Sequence, residues 1–410
     1  MTENNEQRRH HWKDGWASLS HRDFRLLWFG TLISNAGSWM QKVATSWLVY
    51  QLTGSQLLLG VDAFASGIST VLLLPLGGVI ADRLDRRKLL IWTNIISTLL
   101  AGVLAVLAAT GTLAVWHIIT VSALSGIVQA AMVPASTSLL PSLVGEADVP
   151  NAIALNSLQF NLSRVLGPAV GGFVLVKFGA PWSFTLNAAS FLVLVFAFVL
   201  IRTVPAIPQN GLSFGHALAD GVRFTKHRGD LSMLLALVTV TAFLAAPVVS
   251  LMPAFVKEVL GRDASSYSMM LSSFGVGAVI ASLLIAALDR GRRPKWITWL
   301  SLILLGCVEA ALVASGSIVF AVLLVAIAGM LFVGTMIRLG TTILQTTPDA
   351  YRGRVSSLQQ VGFRLGQPLG ALAAGWLGTM FGVRTAFVGF GLMLIAVTLA
   401  SRFVPQKASA

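Results

Sequence analysis

The chain has 410 residues, of which 55% are hydrophobic and only 11% charged, and its mean hydropathy is +0.79. A soluble domain carries about 25% charged residues, so the composition excludes that class and indicates an integral membrane protein. The formal charge of +13 does not indicate a nucleic-acid partner, because the basic residues fall in short stretches between apolar runs, as in the inner loops of membrane proteins.

Residues 1–23 are polar and read as a cytoplasmic tail. The first apolar run is too long for the core of a cleaved signal and is expected to stay as a span. Spans are expected near residues 24–50, 57–81, 89–110, 115–140, 152–176 and 182–201, forming an N-terminal six-helix bundle over 24–201. Residues 202–230 change in texture, with Pro205, Pro208, Gly211 and mixed charge. There Phe214, Leu218, Val222 and Phe224 recur near helical spacing, predicting an amphipathic helix on the membrane surface. Further spans near 231–256, 267–287, 296–314, 318–344, 355–381 and 385–403 make a C-terminal bundle over 231–404, before a tail at 405–410. Twelve helices of about 20 residues need about 240 residues, which fits the length with short connections. Lys and Arg number 21 on the side of the tails and of the loops after the even-numbered spans, against four (Lys177, Lys257, Arg262, Arg384) on the other. Both termini are therefore expected in the cytoplasm of a multi-pass plasma (inner) membrane protein.

An internal repeat sets the architecture. Ser157-Leu-Gln159 with Arg164 and Pro168 matches Ser357-Leu-Gln359 with Arg364 and Pro368, and Phe178-Gly179 with Phe184 echoes Phe381-Gly382 with Phe387. The expected fold is an all-α membrane protein of twelve transmembrane helices, two six-helix bundles related by a pseudo-two-fold axis. Such repeats place a substrate site between the halves near the midplane.

Between spans 2 and 3 lies Gly78-Val-Ile-Ala-Asp82-Arg83-Leu-Asp85-Arg86-Arg87-Lys88, and a fainter copy, Asp289-Arg290-Gly291-Arg292-Arg293, returns after span 8. Asp82 ends a helix, where the dipole disfavours a carboxylate, so it calls for a basic partner or another helix's N-terminus. This stretch resembles the loop 2–3 signature of the major facilitator superfamily, with Asp85 standing where the signature has Gly. The resemblance implies a gating role, Asp82 meeting the loop arginines and the start of span 11. In span 5, Arg164-Val-Leu-Gly167-Pro168-Ala-Val-Gly171-Gly172 resembles the superfamily's antiporter motif, with Ser163 in place of a further Gly. Its small residues let another helix approach closely. Together with Asn35, Gly37, Trp39, Gln41, Pro134-Ala135 and Asn151-Ala-Ile-Ala-Leu-Asn156, the text is similar to the branch containing the enterobactin exporter and macrolide efflux proteins.

Six ionisable residues interrupt apolar spans: Lys42, Asp62, Arg164, Glu309, Arg338 and Arg364. Each costs about 2.5–3.5 kcal/mol unless it faces the bundle interior or a partner. Lys42 and Asp62 lie equally far from the turn joining spans 1 and 2, hence at one depth. They are the candidates for a structural ion pair or for proton coupling, with Glu309 as the next carboxylate. Arg164 and Arg364 can attract anionic substrate groups or act as struts, and Arg338 can snorkel. Asn35, Trp39, Gln129, Gln159 and Gln359 complete the candidate cavity, beside Phe160 and Phe363. Cys307 is the one cysteine, and neither a metal spacing nor a phosphate-binding loop appears. No cofactor, metal or enzymatic activity is expected, and the proton gradient is the expected energy source. The reading is an exporter of siderophores, drugs or similar amphipathic molecules, with a small-molecule substrate and the bilayer as partners, no nucleic acid, and a monomeric state. A lysophospholipid or nutrient transporter, or a non-transporting receptor or assembly protein, are the alternatives.

Overall fold

The computed structural model describes residues 16–202, 214–226, 228–288 and 296–401, all helix and connecting turns with no strand among them. In chain order the helices are α1 (Arg22–Thr53), α2 (Gln56–Arg83), α3 (Arg86–Ala109), α4 (Val115–Leu139), α5 (Val149–Phe178) and α6 (Ala180–Leu200). After α7 (Phe214–Lys226) come α8 (Gly229–Leu244), α9 (Pro247–Ser250), α10 (Met252–Glu258), α11 (Ala264–Leu288), α12 (Trp296–Ala311), α13 (Ile318–Thr346), α14 (Arg352–Phe381) and α15 (Val383–Ser401). Nine helical stretches among the described residues are long and apolar enough to cross a membrane. The three longest helices, α1, α5 and α14 at 32, 30 and 30 residues, fall outside that set because Lys42, Arg164, Arg364 and their amide neighbours dilute the apolar run.

Two expected boundaries need correction. The turn between the first two spans is shorter than the stretch 51–56 left between them. α1 runs to Thr53, Gly54 takes a left-handed φ of 61°, and the Ser55 hydroxyl caps α2 by accepting from Leu58 N at 3.2 Å. The seventh span is not one helix but α8, α9 and α10. Pro247 and Pro253 stand in the first turns of the two short pieces, where a missing N–H is tolerated but an unbroken helix is not. The helix read in the linker is present as α7. Phe224 stacks on Tyr351 at 4.0 Å while Val222 stays exposed, and the side chains of Phe214 and Leu218 lie outside the description, as do Asp289, Arg290 and the two tails.

The packing repeats along the chain. α1 lies on α5 and α6, and α8 on α14; α2 lies on α4, and α11 on α13. A Cβ added to Gly126 of α4 would stand 2.2 Å from the Ser66 carbonyl oxygen of α2, and one added to Gly329 of α13 would stand 2.1 Å from that of Phe274 in α11. Between the two sets, α2 packs along α14 and α5 along α11. At the end away from the 83–88 turn these pairs are tied together. Leu57 N donates to Thr379 Oγ1 at 3.0 Å, Gln56 Nε2 donates to Glu258 at 2.8 Å, and the Tyr50 hydroxyl donates to the same carboxylate. Beneath them Trp47 and Tyr267 stack at 6.1 Å. At the other end Gly78 of α2 has open space beside it.

Candidate functional site

Between the two sets of helices lies a cavity of about 1060 Å³ lined from α1 to α6 on one side and from α9, α11, α13 and α14 on the other. Its wall extends to Leu27, Leu90, Leu140 and Ile153, all near the helix ends that carry the basic loops, so the cavity leads towards that end.

Lys42 and Asp62 meet. Lys42 Nζ lies 3.3 Å from Asp62 Oδ2, and the Ser122 hydroxyl of α4 donates to Asp62 Oδ1 at 2.6 Å. Asp62 is 1% exposed, whereas Lys42 reaches the cavity wall. The equal depth of the two charges follows from counting residues either side of the turn. Ser122 comes from a distant helix and had no local signal.

Arg164 lines the cavity among aromatic rings, its guanidinium carbon 5.4 Å from Trp39, 5.5 Å from Phe274 and 6.0 Å from Phe160. Its Nε is enclosed without a hydrogen-bond partner. Arg364 lines the same cavity from α14, and neither arginine has an acidic partner among the described residues. Asn35, Trp39, Gln129 and Gln159 also line it, although the Gln159 amide is turned to the Ser163 hydroxyl at 3.0 Å. Gln359 lies off the cavity, against Gly340 of α13. Gln41 accepts from Asn187 at 2.7 Å and ties α1 to α6 instead.

The glycines of α5 serve two neighbours. A Cβ at Gly167 would stand 2.4 Å from Trp39 Cβ and one at Gly171 2.9 Å from Met40 Cα, both on α1; one at Gly172 would stand 2.3 Å from Ser268 Cβ on α11. Pro168 is buried between these contacts. Ser163 replaces the motif's further Gly without crowding, its hydroxyl reaching the Leu32 carbonyl of α1 at 3.2 Å.

The charged turn after α2 divides its work. Asp85 caps α3, accepting from Arg87 N at 2.9 Å and Lys88 N at 3.2 Å, which is the local use of the residue standing in place of Gly. Arg86 donates to the Ser138 carbonyl at 3.2 Å and Arg87 to that of Phe198 at 2.6 Å. These arginines thus complement helix C-termini instead of pairing with Asp82. Asp82 and Arg83 are exposed, and Asp82 has no partner among the described residues. Glu309 is remote from the cavity wall and 0% exposed. Both its oxygens lack hydrogen-bond partners, near the close crossing of α12 and α15 at Gly306 and Gly391. Arg338 is half-buried in α13 and does not line the cavity. No group of metal-ligating side chains occurs among the described residues.

The sequence profile of a family described as transmembrane secretion effector, within the major facilitator superfamily, matches residues 13–409. The chain belongs to that family. Among its relatives, the enterobactin exporter EntS of Salmonella typhimurium is 28% identical over 396 residues, covering 93% of this chain and 92% of that one. The multidrug efflux pump Tap of Mycolicibacterium fortuitum is 25% identical over 394 residues, covering 93% and 95%. A solved bacterial homologue of the human lysosomal transporter Spinster, inward-facing and unoccupied, superposes with a TM-score of 0.75 at 14% identity over 93% of this chain and 97% of that one. At that identity the likeness concerns the fold. The protein is a multi-pass membrane transporter and not an enzyme. Three of its notable residues escaped sequence reasoning: Ser122 on Asp62, Phe274 on Arg164, and Glu258 between Tyr50 and Gln56. Each meets its partner across a large chain separation.

Proposed function

We propose that this protein is a proton-coupled exporter of siderophores, drugs or similar amphipathic molecules, working by alternating access. The observation that carries the reading is the large cavity between the two sets of helices, closed at one end and lined by polar, aromatic and basic side chains. Relatives named for an enterobactin exporter and a multidrug efflux pump support export as the direction. The repeated packing supports twelve spans in two six-helix bundles, residues 24–201 and 231–404, joined by 202–230. The basic loops support cytoplasmic termini in the inner membrane, so the described conformation is open inward. The proposed state is a monomer, with the cavity walled by residues of one chain.

Asp62 is the proposed proton carrier and Lys42 its partner. Exchange requires the proton and the cargo to be carried in turn: cargo leaves while Asp62 is ionised and paired with Lys42, and the empty protein returns with Asp62 protonated. The test is proton exchange by purified protein in liposomes, driven by siderophore or drug, across pH 5.5–8. Wild type should couple cargo and proton. Lys42→Met with Asp62→Leu should assemble yet lose coupling, and coupling that survives removes Asp62 from the mechanism and turns attention to Glu309. Orientation is checked with single cysteines at Arg87 and Lys226 in a Cys307→Ala background, which should resist impermeant thiol reagents in intact cells.

A further inference from the structure

We infer that the cavity selects anionic cargo, and that Arg164 with its aromatic neighbours is the subsite for an acidic group carried on an aromatic or similarly flat body. The inference rests on the transport reading above and narrows it. The charged residues on the described wall are Lys42, Arg164 and Arg364, all cations, and no Asp or Glu joins them. Lys42 is offset by Asp62. Arg164 and Arg364 have no counter-charge among the described residues. Uncompensated cations inside a membrane are costly and are kept where they act on a substrate or a partner. In a low-dielectric cleft their field is concentrated, repelling cationic molecules and drawing in anions. A cationic drug would meet two unmatched charges, whereas an anion supplies the missing partner.

The surroundings of Arg164 narrow the class further. A guanidinium is a planar fork that binds carboxylates in a bidentate way and stacks on aromatic faces. Here the rings of Trp39, Phe160 and Phe274 lie 5.4–6.0 Å from it, and its enclosed Nε lacks a partner. The rings hold the fork and offer flat apolar surface beside it. The ligand that matches both features is an aryl acid: a ring against the aromatics and an anion against the guanidinium. Trp39 and Phe160 belong to the first set of helices and Phe274 to the second, so a ligand seated there touches both sides of the cavity.

The test is equilibrium binding to the full-length protein in nanodiscs of zwitterionic lipid, with salicylate, its neutral isostere salicylamide, and tetraphenylphosphonium. Wild type should bind salicylate at least about tenfold more tightly than salicylamide, and tetraphenylphosphonium should not displace it. Arg164→Gln should bring the ratio close to one while salicylamide affinity persists, which also shows that the variant is folded. Arg164→Lys should keep part of the preference, because the charge stays and the planar fork is lost. The proposal is overturned if wild type prefers tetraphenylphosphonium to salicylate, a comparison that needs no variant, or if Arg164→Gln leaves the ratio unchanged. It is also overturned if lysophosphatidic acid binds through Arg164 while salicylate does not bind at all, which would place a lipid headgroup there. Binding is read without a gradient or a direction, so failure of the exporter reading appears in the liposome exchange and not in this ratio.

Discussion

At the scale of single residues, what matters is which intramembrane charges are matched. Asp62 is matched twice, by Lys42 at 3.3 Å and by Ser122 at 2.6 Å, so removing one partner strands a buried charge. Lys42→Met alone should lower stability in detergent by about 3–5 kcal/mol by leaving the buried Asp62 carboxylate without its ammonium. Adding Asp62→Leu should return most of that loss, because replacing a buried pair with apolar groups is close to neutral. The check is thermal unfolding monitored by size-exclusion chromatography of the two variants beside wild type. A double variant no more stable than the single would mean that Asp62 supports the fold through Ser122 alone. Arg164 is matched by rings and not by an acid, and Glu309 by nothing among the described residues. The three sites look alike in a hydropathy profile and differ only in their neighbours.

At the scale of elements, helix ends and glycine contacts set the spacing of the walls. Gly167 brings α5 against α1 at Trp39 and Ala36, so the same glycine that packs the pair also positions a ring of the Arg164 cage. Gly167→Ala should cost about 1–3 kcal/mol through overpacking and weaken cargo binding more than Gly78→Ala, whose Cβ would meet open space in this conformation. Thermal shift and binding measured on both variants decide it. Asp263 starts α11 at the sealed end, accepting from the Ser265 hydroxyl at 2.6 Å and from Ser266 N at 3.2 Å. The hydrogen bond from Ser265 is the main reason its carboxyl is held below the usual range. A lowered folded-state value means stability present above the unfolded Asp value of about 3.9 and lost as pH falls through the folded one. The contribution is small because the residue is exposed, and cap removal typically costs about 0.5–2 kcal/mol. Asp263→Ala should therefore lower the melting temperature slightly at pH 7 and have little effect near pH 2, as read in melting curves across that range.

At the scale of the whole molecule, one end is fastened and the other is not. Glu258 receives Tyr50 from α1 and Gln56 from α2, drawing both onto α10. Hydrogen bonds to a charged group contribute about 1.5–3 kcal/mol each, enough to move an equilibrium between conformations by about ten- to a hundredfold. Glu258→Ala should raise the labelling of a cavity cysteine from the outside of the cell, measured with an impermeant thiol reagent in the Cys307→Ala background. Labelling no faster than in the parent would leave the fastening to the Trp47–Tyr267 stack and to Leu57 with Thr379. Asp82 is exposed at the opposite end, which is the state expected of a gate residue while its own end is open. On the proposal that Asp82 makes its contact when that end closes, Asp82→Asn should leave melting behaviour intact and slow transport. Transport at the wild-type rate and equal expression would count against this role.

Much of this molecule is legible in one dimension because the bilayer is an exacting solvent. A helix that crosses it needs a long apolar run, so the spans read off the chain to within a few residues of α1 to α6 and α11 to α15. Lys42 and Asp62 were readable as a pair because a short turn and a fixed rise per residue put two charges at one depth. The seventh span was misread where Pro247 and Pro253 divide it, since hydropathy reports apolarity and not backbone hydrogen bonding. The tertiary structure alone decided who meets whom. Ser122 reaches Asp62, Phe274 reaches Arg164 and Glu258 reaches Tyr50 across separations that no local pattern encodes. The same holds for Gln359, whose sequence twin Gln159 lines the cavity while Gln359 packs against Gly340. Composition and periodicity select a membrane helix, but the side of it that meets cargo depends on how twenty-odd side chains per helix are shared among neighbours, and that is a property of the packed molecule.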